Sequence, residues 1–246
     1  MKKSIINGVC RKFGFEIHGT GYLQAIKKQS FKDDAFEKQK ELTSITNPVV
    51  FDVGANRGDI VAKYLDLFQR PKIYAFEPFP ASYEILRDRF KENNNVSSHQ
   101  LAVASTMIPQ TFYVNNNVDT NSLLKSSITG LSSDTQVKNR TSITINTTTI
   151  DAFCSQNHIS SIDILKMDIQ GGEYGALEGA TGMLSSKKIK VIYSEVYFIE
   201  QYESHPLFHE ISKFLYGFGF RLQDLYSPIY GNNHIAWSDA IFTLKR

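Results

Sequence analysis

Val49-Val50-Phe51-Asp52-Val53 runs straight into Gly54-Ala55-Asn56-Arg57-Gly58. An apolar run of this length that breaks into a glycine turn reads as a buried strand feeding a helix, the repeating unit of open α/β sheets. The expected helix covers Arg57 to Phe68, with Ile60, Val61, Tyr64, Leu65 and Phe68 on one face. The alternation repeats with a strand over Ile73 to Phe76, a helix over Ala81 to Glu92 and a third strand over Ser98 to Ala104. It lapses from about residue 111 to 149, where Asn, Ser and Thr dominate. There, β-alternation at Thr111 to Val114 and at Ser142 to Ile145 predicts short strands around a polar loop. The rhythm resumes with a helix over Ile150 to Asn157, a strand over Ile162 to Met167 and a helix over Gly172 to Leu184. A strand over Lys190 to Val196 and a helix over Pro206 to Gly217 follow. Strands alternating with helices imply a parallel sheet. The final runs, Phe220 to Tyr226 and Ala236 to Leu244, are joined by the turn-rich Pro228-Ile229-Tyr230-Gly231-Asn232-Asn233, which predicts an antiparallel hairpin closing that sheet. The expected organisation is one α/β domain over residues 48–246 behind a mostly helical extension over residues 1–47.

Open α/β sheets bind ligands at the C-terminal ends of their strands. A dinucleotide site needs a second glycine two residues after the first, so that the backbone can approach a pyrophosphate. Asn56 stands at that position, and the carboxylate of Asp52 beside it would repel phosphate. The same carboxylate suits a cofactor with a cationic amino-acid end, such as S-adenosylmethionine. Glu77 ends the second apolar run, about twenty residues past the glycine turn, where an acid takes both ribose hydroxyls. The pair favours a nucleoside without phosphates over NAD or NADP. Asn56 either hydrogen-bonds the cofactor's amino-acid end or caps the first helix. Leu101 and Ala102, at the end of the third strand, either flank an adenine or are ordinary buried strand residues.

Composition excludes more than it selects. A net charge of +2 carries no field that would call for nucleic acid or an anionic membrane. Cys10 and Cys154 form neither a disulfide framework nor a zinc spacing. No apolar stretch is long enough for a transmembrane helix, and the start lacks a signal-peptide core, so a cytoplasmic protein is expected. Nothing in the chain sets an oligomeric state. No metal is expected: His205 and His209 are four apart, but Pro206 between them puts His205 outside the regular turn.

Three motifs in order carry a family likeness: Phe51-Asp52-Val53-Gly54-Ala55-Asn56-Arg57-Gly58, Phe76-Glu77-Pro78 and Leu165-Lys166-Met167-Asp168-Ile169-Gln170-Gly171-Gly172-Glu173. Supporting pieces are Thr148-Thr149-Ile150-Asp151-Ala152-Phe153 and Asn121-Ser122-Leu123-Leu124. Together they resemble the FkbM-type S-adenosylmethionine-dependent methyltransferases, over roughly Val49 to Val196. The resemblance implies a Rossmann-like class I methyltransferase fold, S-adenosylmethionine as cofactor, and O-methylation, often of sugars or secondary-metabolite hydroxyls. Many members carry Glu where Gln170 stands, so no role of that carboxylate carries over. Gly172 also replaces a larger residue common there.

Methyl transfer from a sulfonium needs alignment and exclusion of water more than covalent help. A hydroxyl acceptor additionally needs a base. Asp168 and Glu195 end apolar strands and His205 lies in the next loop, so these three are the base candidates. Asp52, Gly54, Asn56, Glu77 and Ala102 are the cofactor candidates; Ser122 in the insertion and Tyr197 are the acceptor candidates. Lys166 shares a strand face with Asp168 by the period of two, and a structural ion pair between them is expected. Glu173 opens a helix, where the dipole favours an acid. The polar insertion and abundant tyrosine point to a small-molecule or glycan acceptor. A lipid-linked or secondary-metabolite acceptor, or a non-catalytic cofactor-binding scaffold, stands as the alternative.

Overall fold

The structure, a computed structural model, describes residues 34–127, 139–231 and 233–245. The first 33 residues of the expected helical extension, the middle of the polar insertion (128–138) and Asn232 of the final turn lie outside the described residues. The extension enters as helix α1 (Ala35–Thr43), opened by the Asp34 side chain accepting from the Phe36 amide. Strand β1 (Val49–Val53) leads through the glycine turn into α2 (Asp59–Leu67). The turn takes up the residues expected to begin that helix, because Asn56 and Gly58 are both left-handed (φ 46° and 87°). Then come β2 (Lys72–Phe76), α3 (Pro80–Phe90) and β3 (Val96–His99). Past the insertion follow α4 (Ile150–Gln156) and the fully buried β8 (Ile162–Met167). Between β3 and α4 in chain order lie β4 (Ala102–Val103), β5 (Gln110–Asn115), β6 (Asn139–Ile145) and β7 (Thr147–Thr148). The chain closes with α5 (Glu173–Glu178), α6 (Thr181–Ser185), β9 (Ile189–Tyr197), α7 (Phe208–Gly217), β10 (Phe220–Gly231) and β11 (His234–Leu244).

Among the described residues the main sheet has seven strands in the order β10-β11-β9-β8-β1-β2-β3. The strands β3, β2, β1, β8 and β9 are parallel, and the β10–β11 hairpin joins antiparallel to β9. This is the doubly wound sheet with a terminal hairpin that the alternation predicts. Strand residues alternate between two cores. Phe51, Phe76 and Leu165 pack toward α4, α5 and α7; Val50, Ile73 and Ile164 pack toward α1, α2 and α3. Each fully buried side chain of this size contributes roughly 1.5–3 kcal/mol, so the two cores hold the strand ends, and the site on them, rigid.

Two expected elements are divided. The third strand leaves the main sheet after His99; Ala102 and Val103 turn away to pair in parallel with Thr147 and Thr148. The helix expected over Gly172 to Leu184 breaks at Gly179, whose carbonyl is taken by the Asp151 amide while Asp151's carboxylate caps Gly182 and Met183. A Cβ on Gly179 would run into the Ala104 carbonyl, so the break is held by close backbone approach. The insertion contains the predicted antiparallel pair, β5 with β6.

Candidate active site

A cleft of about 130 Å³ opens over the C-terminal ends of β1, β2 and β8, where open α/β sheets bind their ligands. Its floor is the glycine turn. Gly54 (φ 79°) packs so tightly on the Asp168 carbonyl that any Cβ would collide with it. The Gly54 and Ala55 amides both donate to the Phe76 carbonyl, which fixes the turn against β2. Glu77 sits at the tip of β2, buried, with one carboxylate oxygen accepting from the Asn56 amide and the other from the Phe79 amide, each at 2.9 Å. Burial pushes its carboxyl up to about 7 against the pull of those two amides. Ala102, Leu101 and Phe112 form the apolar wall beyond it.

The insertion roofs the cleft. Val118, Asp119, Asn121 and Leu123 line it, and Asp119 accepts from Asn56 Nδ2 at 2.8 Å. Asn56 Oδ1 is buried and has no hydrogen-bond partner among the described residues. Such orphaned buried acceptors are rare, and this one lies in the lining of a cleft, where a ligand's ammonium group would satisfy it. A turn without phosphate-binding glycines, an acid at the tip of β2 and an apolar slot beside it fit the amino acid, ribose and adenine of one adenosyl cofactor.

Asp52 does not line this cleft. Its side chain is fully buried on the opposite face of β1, paired with Lys166 at 2.9 Å, where the register sets the two residues side by side. The ion pair expected between Lys166 and Asp168 is therefore corrected: Lys166 serves Asp52, and its ammonium also donates to the Gly54 carbonyl at 3.0 Å. Burial pushes Asp52 up and opposes the charge on Lys166, but the carboxylates of Asp52 and Asp168 keep the lysine above its ordinary value. Asp52 thus reaches the cofactor turn only through Lys166. Opposite charges, Asp52 and Lys166, within mostly apolar strands were the available signal for this pair.

Asp168 lines the cleft with an exposed carboxylate at the end of β8. Gln170, in the left-handed region (φ 57°), donates through Nε2 to Asp168 at 2.8 Å and to Glu195 at 3.0 Å. Its Oε1 accepts from the Tyr202 hydroxyl at 2.7 Å. Tyr197 donates to the same Glu195 oxygen. Burial, then the charges of Asp168 and Glu173, push Glu195 well above the ordinary carboxylate range. The structure therefore joins Asp168, Glu195 and Tyr197 through Gln170, a residue that sequence reasoning treated only as a departure.

The remaining candidates are placed differently. His205 is buried beneath this network and does not line the cleft; its Nε2 accepts from the Gln201 amide, and burial lowers its basicity. That arrangement makes it a brace for the loop after β9, and it is removed from the base candidates. Ser122 is likewise fully buried, donating to the Gln170 carbonyl at 2.7 Å and accepting from Leu124, so it ties the insertion to the site. Tyr197 and Tyr202 have buried rings that cannot stack on an acceptor. Glu173 accepts from the Ile169 amide at 2.8 Å and holds the loop that carries Asp168; burial pushes it up to about 7.

The family model described as the methyltransferase FkbM domain matches residues 52–222. The chain belongs to the FkbM methyltransferase family. It is an S-adenosylmethionine-dependent methyltransferase, and S-adenosylmethionine is the cofactor that the cleft fits. A relative from Sinorhizobium fredii (strain NBRC 101917 / NGR234), the 2-O-methyltransferase NoeI, is 24% identical over 188 residues, covering 74% of this chain and 76% of NoeI. Among solved structures, the fibrillarin/Nop5p complex matches with a TM-score of 0.50 at 16% identity, over 82% of this chain and 74% of that one. The TehB-like methyltransferase of Corynebacterium glutamicum ATCC 13032 Kitasato matches with 0.45 at 10% identity, over 92% and 97%. The fibrillarin likeness speaks to the fold.

Proposed function

We propose that this FkbM methyltransferase methylates a hydroxyl oxygen of a sugar or glycan, with Asp168 receiving the hydroxyl proton. One observation carries the reading: Asp168 is the exposed carboxylate that ends β8 beside the cofactor turn and lines the cleft. The 2-O-methyltransferase relative supports oxygen as the acceptor atom. When bound, S-adenosylmethionine supplies an activated sulfonium methyl group. Glu77 takes the ribose hydroxyls, Gly54 and Asn56 the amino-acid end, and Ala102 the adenine edge. Asp52 acts through Lys166, which holds the Gly54 carbonyl and so fixes the turn. Gln170 orients Asp168 and also donates to Glu195, whose carboxyl burial pushes well above the ordinary range. Tyr197 orders Glu195, and Ser122 ties the roof to the loop.

Among the described residues the charges lining the cleft, Glu77, Asp119 and Asp168, are acidic, which disfavours the phosphates of a nucleic acid and favours a neutral hydroxylated acceptor. No helix among the described residues is long and apolar enough to cross a membrane. The test is transfer of a carbon-labelled methyl from S-adenosylmethionine to a panel of saccharides, nucleosides and RNA. Label on a sugar hydroxyl, with Asp168→Asn cutting turnover about 10²–10⁴-fold, supports the reading. Label on RNA alone, or full turnover in Asp168→Asn, overturns it.

A further inference from the structure

The insertion does more than cover the cleft. Asn121 lies in it between two anchors. Asp119, two residues before, holds Asn56 on the β1 turn; Ser122, directly after, holds the Gln170 carbonyl beyond β8. Asn121 therefore lies between an anchor on the turn after β1 and one on the loop after β8. It lines the cleft and is 9% exposed. Its amide is oriented by the chain, because Oδ1 accepts from the Asn115 amide at 2.8 Å. That leaves Nδ2 as the free end, and Nδ2 is buried with no partner among the described residues.

A buried donor without a partner is costly, so native chains rarely keep one unless a ligand or water completes it. The same cleft holds a second orphan of opposite sense, the acceptor Asn56 Oδ1. Neither satisfies the other. A donor and an acceptor both unfilled, on two residues that line the same cleft, match a zwitterion: an ammonium for the acceptor and a carboxylate for the donor.

We propose that Asn121 is a cofactor-binding residue, its Nδ2 donating to the carboxylate of the S-adenosylmethionine amino-acid end while Asn56 Oδ1 accepts from the ammonium. The insertion is then part of the cofactor site. The inference rests on the cofactor and not on the identity of the acceptor, so it survives or fails independently of the sugar reading.

The test is calorimetric titration of the full chain with two ligands. S-adenosylhomocysteine carries the amino-acid end; 5′-methylthioadenosine lacks it. Asn121→Asp keeps the oxygen that holds Asn115 but replaces the donor with a second acceptor, which faces the ligand carboxylate. The expected result is a loss of at least about tenfold in affinity for S-adenosylhomocysteine, the range for a hydrogen bond to a charged group, with 5′-methylthioadenosine unchanged within twofold. Unchanged affinity for both ligands, or an equal loss for both, overturns the proposal. A wild-type measurement covers a variant that misfolds. The Asn121 side-chain amide resonances should shift on adding S-adenosylhomocysteine and stay in place with 5′-methylthioadenosine; the same response to both overturns it.

Discussion

At the scale of single residues, the site works by placing carboxyl groups in unequal surroundings. Glu77 is buried and pushed up to about 7, so near neutral pH it is poised between its two forms. Only the ionised form is a full acceptor for two ribose hydroxyls. Affinity for S-adenosylhomocysteine is therefore expected to rise between about pH 6 and 8, and Glu77→Gln to flatten that rise while weakening binding about tenfold or more; titration calorimetry across pH checks both. Without ligand the sign reverses. A carboxyl raised above its unfolded value contributes stability that is complete below about 4.5 and lost as pH climbs through about 7. The second residue-scale prediction concerns Gln170, whose amide lets Asp168 and Glu195 share one neighbour without sharing a charge. Gln170→Glu would put a third carboxylate within hydrogen-bond distance of two others, and like charges at that spacing cannot all ionise. Turnover on the acceptor is expected to fall about a hundredfold, with the acid limb of the kcat–pH profile moved upward. An unmoved profile would remove Gln170 from the proton path.

At the scale of elements, the pairing of β1 with β8 sets Asp52 beside Lys166, and Lys166 against the Gly54 carbonyl of the proposed cofactor turn. Lys166→Met leaves a buried carboxylate unpaired and is expected to cost about 3–5 kcal/mol in denaturant unfolding. The double change Asp52→Leu with Lys166→Met removes both charges and should recover most of that loss. It cannot restore the donor to the Gly54 carbonyl, so cofactor affinity is expected to stay weakened while stability returns. Recovery of both would mean that the pair is structural only. This pair also marks the limit of what the sequence disclosed. β1, β2, β8 and the hairpin were legible because apolar runs and glycine turns are local signals. The carboxyls at strand tips were legible for the same reason. The split of the third strand was not, because Ala102 and Val103 pair with Thr147 and Thr148 across the whole insertion. Nor was the helix break at Gly179, which lies within good helix formers and depends on Asp151 and Ala104 from elsewhere. Asp52 was read as facing the cofactor because its position was visible and its partner across the sheet was not.

At the scale of the whole molecule, the two apolar cores occupy the faces of the sheet and leave the chemistry to one edge. That edge is acidic where the cleft opens, although the chain as a whole carries +2. The local field and the net charge thus make opposite forecasts for a charged acceptor. Net charge would draw an anion weakly toward the molecule; the carboxylates lining the cleft would turn it away at the last few ångströms. Close charges in a partly enclosed cleft outweigh distant surface ones, which salt screens within about 8–10 Å under ordinary conditions. A neutral sugar acceptor is therefore expected to exceed its own phosphorylated form by about tenfold or more in kcat/KM. That gap should narrow as salt rises from low to molar concentration, because only the repelled acceptor gains from screening. The measurement is kcat/KM for the matched pair across a salt series. Equal values at low salt, or a phosphorylated acceptor that is preferred and then weakened by salt, would show that groups outside the cleft lining set the acceptor's charge.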